Sequence, residues 1–78
     1  MKKQDNANWQ RLSEVIRVTG HNVNSFARHI GLSRGENLYQ IQRGNNGISE
    51  DVARRIHHHF PQYSVAWIMF GEENVAIV

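Results

Sequence analysis

In this chain of 78 residues, the side chains best suited to chemistry lie close together in "GLSRGENLYQIQRG", residues 31 to 44: Arg34, Asn37, Tyr39 and Gln40. Arginine carries paired donors that match the two acceptors of guanine. Asparagine or glutamine offers the donor and acceptor that match adenine, and each good pair discriminates by about 1–3 kcal/mol. Tyr39 suits a phosphate or a thymine methyl, and equally suits packing on neighbouring turns. The same four residues also fit a plain solvated helix face, so they count for more as a set than singly. Catalysis has less to work with: there are hydroxyls and carboxylates, but no glycine-rich phosphate loop, no nucleophile elbow and no recognisable carboxylate pair. Enzyme activity is not expected, and no cofactor is implied.

Charge is distributed in keeping with an anionic partner. The net charge is only +2, yet Arg17, Arg28, Arg34 and Arg43 stand against the single acid Glu36 across residues 17 to 49. From residue 50 the balance reverses, with Glu50, Asp51, Glu72 and Glu73 against Arg54 and Arg55. Phosphates are expected to be met by helix starts and polar loops, which nominates Asn24, Ser25, Ser33, Arg43, Asn45 and Asn46, with Arg28 on the polar side of its helix. Asn45 and Asn46 equally suit a turn, and Arg54 and Arg55 suit ion pairs with Glu50 and Asp51 one helical turn away.

No metal site is expected. Successive helical residues point about 100° apart, so "HHH" at 57 to 59 cannot converge on one ion, and neither His21 nor His29 has a partner at chelating spacing. The absence of cysteine removes disulfides and thiolate chemistry and fits a reducing cytoplasm. Neither a signal peptide nor an apolar run of membrane-spanning length is read in the sequence, which points to a cytoplasmic protein.

These residues must be positioned by a small core, since 78 residues with 40% hydrophobic content hold one domain. Helical periodicity supplies it. Trp9, Leu12, Val15, Ile16 and Thr19 predict a helix over residues 7 to 19, closed by Gly20. Val23, Phe26, Ala27 and Ile30 predict a second, with Asn24 as its N-cap and Gly31 as its stop. Ser33 and Glu36 have capping-box spacing, which predicts a third helix from Ser33 to about Arg43, turned inward by Leu38 and Ile41. Gly35 is a poor helix former, which suggests a bend or a close approach of backbone to DNA, or else glycine simply tolerated in the first turn. Ser49 caps a fourth helix ended by Pro61, and Ser64 a fifth carrying Trp67, Ile68 and Phe70, with Tyr63 and Ile68 spaced as a hydrophobic staple and Gly71 as its stop. No strand alternation competes, so the fold class is all-α with five helices. The domain covers residues 1–72, and 73–78 form a tail or the start of a linker.

Helix, tight glycine turn and second helix with polar outward residues is the layout of a helix-turn-helix. "FARHIGLS", with its small Ala27 facing Gly31, together with "QIQRGNNGIS", resembles the lambda-repressor and Cro class, the XRE family. The likeness runs from residue 9 to about 70, and the stretch through "FPQYSVAWIMFGE" looks most like phage-type repressors of Bacteroides-like bacteria. One departure from the family pattern is that thirteen steps separate Gly31 from Gly44, one more than is commonest, with the extra residue near Gly35 and Glu36. Lengthening the turn leaves Asn37 and Gln40 outward; lengthening the helix rotates Arg34 and Glu36 by about 100°. The first is favoured.

The resemblance implies a lambda-repressor-like domain acting as a transcriptional repressor of prophage type, with its third helix in the major groove of double-stranded DNA. It implies a homodimer on a palindromic operator, for which Trp67, Met69 and Phe70 are the candidate contacts; core closure of the fifth helix is the competing use of Trp67. Relatives often continue into a peptidase-like C-terminal domain. The rival from another class is a protein-interaction module anchored near Trp67, or an antitoxin that binds a protein partner as well as its own promoter.

Overall fold

Five helices, α1 (Ala7–Val18), α2 (Val23–His29), α3 (Glu36–Gln42), α4 (Glu50–His59) and α5 (Val65–Phe70), account for the regular structure of residues 6–72, the part of the chain that the computed structural model describes. No strand occurs among those residues, so the domain is all-α. The tail expected at 73–78 lies outside the described residues, apart from which no described helix is long and apolar enough to cross a membrane.

Each helix lends its apolar stripe to one core. Leu12, Val15 and Ile16 come from α1, Phe26 and Ala27 from α2, Leu38 and Ile41 from α3, Val52, Ala53 and Ile56 from α4, and Ile68 from α5, with Ile30 and Ile48 from the connections. Burying a side chain of the size of Leu, Ile or Phe is worth about 1.5–3 kcal/mol, so these positions dominate the stability of so short a chain. No polar or charged residue among those described is buried. α3 packs on α1 and α2, and α5 packs on α1 and α4. α1 is thus the shared partner of the two short helices that carry the residues of interest.

Helix ends are set mostly by local side chains. Asn6, Ser49 and Ser64 accept the N–H groups of Trp9, Val52 and Trp67, which starts α1, α4 and α5 where the sequence suggests. Gly71 adopts φ +75° and stops α5, and Arg11 reaches across from α1 to donate to the last carbonyls, Ile68 O at 3.2 Å and Met69 O at 3.0 Å. The ring contact of Tyr63 is with Trp67, stacked at 5.3 Å.

Two expected helix starts are corrected. α2 is capped by Asn22, two residues before Asn24: the Asn22 side chain accepts from Ser25 N–H at 2.8 Å, and Ser25 Oγ accepts the Asn22 N–H at 3.0 Å. The reciprocal pair works here with a serine in place of the usual glutamate, which is why a search for Glu or Gln at the third position passes over it. α3 does not begin at Ser33, and the capping box of Ser33 with Glu36 does not form. The helix starts at Glu36 with Gly35 in the cap position and no side-chain cap at all. Ser33 is exposed in the turn, and the Glu36 carboxylate is bonded to Gln40.

Candidate nucleic-acid interface

α3 is held at both ends by residues far from it in sequence. At its start Gly35 is buried against α2: a Cβ there would lie 2.6 Å from Asn24 Oδ1, 3.1 Å from the Tyr39 ring and 3.4 Å from Val23. The close approach at Gly35 is therefore between two helix starts, a role not expected from the sequence. The turn before it is fixed by Gly31 at φ +95° and by Leu32 N–H donating to Ala27 O at 2.8 Å. Arg55 of α4 donates to Gly31 O at 3.2 Å while pairing with Asp51 at 2.9 Å. At the other end the Asn6 amide donates to Ile41 O at 2.8 Å and Gln42 O at 3.0 Å, among the last carbonyls of the helix, of which Ile41 O also accepts the Gly44 N–H.

With Leu38 and Ile41 buried, the 100° step per residue turns Glu36, Gln40 and Arg43 outward within about 60° of one another, with Tyr39 beside them. Gln40 is half-buried in a chain of amide and carboxylate bonds. Its Nε2 donates to the Glu36 carboxylate at 2.9 Å, and its Oε1 accepts from Asn45 Nδ2 at 2.8 Å. Asn37 sits on the flank of the helix and lines a cleft with Ile41, Asn46, Gly47, Ser49 and Val52. Arg34 precedes α3 and is exposed.

The residues nominated for phosphate divide in the same way. Arg28, Arg43, Asn24, Ser33 and Asn46 are exposed. Ser25 is not open in the manner expected: its N–H goes to Asn22, and its hydroxyl bonds Asn22 and the His21 ring at 3.0 Å. Asn45 spends its amide on Gln40, and its N–H goes to Gln40 O at 3.0 Å. The arginines sort by partner. Arg17, Arg54 and Arg55 form ion pairs with Glu14, Glu50 and Asp51, and Arg11 clasps α5. The side chains of Arg28, Arg34 and Arg43 form no ion pair or hydrogen bond among the described residues, and the three lie on α2, the turn and the end of α3 respectively. Of the four arginines that make the middle of the sequence basic, Arg17 is therefore neutralised.

Away from this face the histidines form a row. The His21 and His29 rings lie 4.9 Å apart, His29 and His59 5.0 Å, and His59 and His58 5.1 Å, with Phe60 against His29 at 5.4 Å. No group of three or more potential ligands among the described residues converges on an ion. Lost hydration, then repulsion from His29 and His58, lowers the His59 pKa below its ordinary 6.5. On α5, Phe70 is 66% exposed, and Trp67 and Met69 are half-buried.

No protein-family model, curated protein or solved structure matches the chain. The sequence carries no expectation for Asn6 and Arg11, and the roles it suggests for Glu36 and Asn45 are other than their bonds to Gln40. Glu36 and Gln40 are one helical turn apart, a spacing at which polar side chains meet, so that contact was detectable; the reach of Asn6 across to α3 was not.

Proposed function

We propose that this chain is a sequence-specific DNA-binding domain of the lambda-repressor and Cro class, which presents α3 to the major groove of a duplex and represses transcription in the bacterial cytoplasm. The supporting observation is the sorting of the arginines. Those elsewhere on the described surface are paired with acids or clasp a helix end, whereas Arg28, Arg34 and Arg43 are bare, the first on α2 and the other two on either side of α3 in the chain. Unpaired guanidinium groups together with an outward amide suit a ligand with a phosphate backbone and base edges: the cations supply salt-dependent affinity and the amide supplies selection.

One module of this size makes few contacts, so a homodimer on a pseudo-palindrome with half-sites about 34 Å apart is the assembly proposed. The exposed Phe70 beside Trp67 and Met69 supports contact between protomers there.

The test is selection from a randomised duplex pool, followed by binding across a salt series with Gln40→Ala and Arg43→Ala in parallel. An enriched palindrome is expected, with Gln40→Ala relaxing preference at one base pair of each half-site. Arg43→Ala is expected to weaken all sequences about equally and to lower the salt slope by about 1. Binding that neither enriches a sequence nor responds to salt sinks the proposal and favours a protein-interaction module anchored at Trp67 and Phe70.

A further inference from the structure

The chain of bonds through Gln40 has a direction. A carboxylate only accepts, so the amide end facing Glu36 must be the NH2 group, as the 2.9 Å contact requires. The oxygen end is then turned to Asn45, whose NH2 donates to it at 2.8 Å. Asn45 is itself placed by its backbone N–H on Gln40 O at 3.0 Å, in the turn that closes α3. Glu36 and Asn45 are both exposed, and neither contributes to the core. Their bonds use one of the two hydrogens of the Gln40 amide and one of the two lone pairs of its oxygen, leaving one donor and one acceptor in a fixed order.

We propose that Glu36 and Asn45 are positioning residues that fix the polarity of the Gln40 amide and so decide which way round an A·T pair is read; the proposal rests on the DNA-binding reading above. Adenine presents N7 as acceptor and its N6 amino group as donor, in an order that reverses when A·T is exchanged for T·A. An amide free to turn over matches both orders by exchanging its ends. An amide held between a carboxylate and an asparagine NH2 matches one. Discrimination between A·T and T·A at that pair therefore comes from two residues that need not touch a base.

The decisive variant is the double substitution Glu36→Gln with Asn45→Asp. It moves the carboxylate from one end of Gln40 to the other and leaves the net charge unchanged. Two measurements are made. In the DNA-free protein, the side-chain amide resonances of Gln40 should move as Glu36 is titrated with acid, and Glu36→Gln should abolish the movement; resonances that ignore Glu36 overturn the proposal whether or not DNA binds. In the pool selection, the double variant should lower the A·T to T·A ratio at the Gln40 pair by about tenfold or more. An unchanged ratio with intact specific binding also overturns it. If the amide responds to Glu36 but the unsubstituted chain selects no sequence, the DNA-binding reading itself is at fault, and the positioning role falls with it.

Discussion

α2 begins with both halves of a capping box, Asn22 and Ser25 each accepting the other's N–H, whereas α3 begins at Gly35 with no side-chain cap. Both helices have seven residues, too few to stand alone in water. They reach stability by different routes. α2 carries its own start signal within four residues of chain and buries Phe26 and Ala27 completely. α3 takes its start from contact with α2 at Gly35, its end from Asn6, and its anchorage from Leu38 and Ile41. A helix placed this way is positioned accurately only if the rest of the domain is folded. Its outward face stays free of capping duties, and for that reason Glu36 is available to Gln40.

The contrast is best broken at the core. Leu38→Ala removes the buried anchor of α3 and is expected to cost about 2–5 kcal/mol, read by chemical denaturation. Next in size is Gly35→Ala, which forces a methyl between the two helix starts and is expected to cost about 1–3 kcal/mol. Adding Asn24→Ala removes the atom 2.6 Å away and should restore part of that loss; no restoration would mean that the approach at Gly35 is not what sets the start of α3. Asn22→Ala should cost about 1 kcal/mol through the lost cap of α2, less than Leu38→Ala. A larger loss for Asn22 than for Leu38 would reverse the proposed difference between local and tertiary control.

The smallest effect concerns acid. Because the folded His59 ring binds its proton less readily than an unfolded one, the unfolded chain gains protons first as pH falls below about 6.5, and stability is lost in that direction. The thermal midpoint should therefore fall on going from about pH 7 to about pH 5, and His59→Gln should reduce the fall. A midpoint that rises in acid would show that the helix C-termini near these rings outweigh the repulsion between them.

The comparison also separates what the sequence discloses from what it hides. The apolar positions at helical spacing, the serine caps of α4 and α5 and the glycine stops after α2 and α5 depend on neighbours a few residues away, and each is readable from the chain. The start of α3 is hidden because it depends on Gly35 meeting Asn24 and Val23, so a capping-box spacing at Ser33 and Glu36 pointed three residues too early. Asn24 lost the cap of α2 to Asn22 because the reciprocal partner, Ser25, is an unusual residue for that role. Within the candidate interface, outward Gln40 and Arg43 follow from periodicity alone. The commitment of Ser25 and Asn45 to other protein groups needs three-dimensional contacts that no spacing rule supplies.

Asn6 does two jobs with one amide: its oxygen starts α1 and its nitrogen holds the last carbonyls of α3. In mechanical terms it pins the front of the chain to the far end of the helix that carries Gln40, so a load applied ahead of α1 reaches α3 through this side chain as well as through the packing of the two helices. A label, surface anchor or fusion partner attached at the N-terminal side is expected to disturb Gln40 and Arg43 more than one attached beyond Gly71, where the load falls on α5 and its Arg11 clasp.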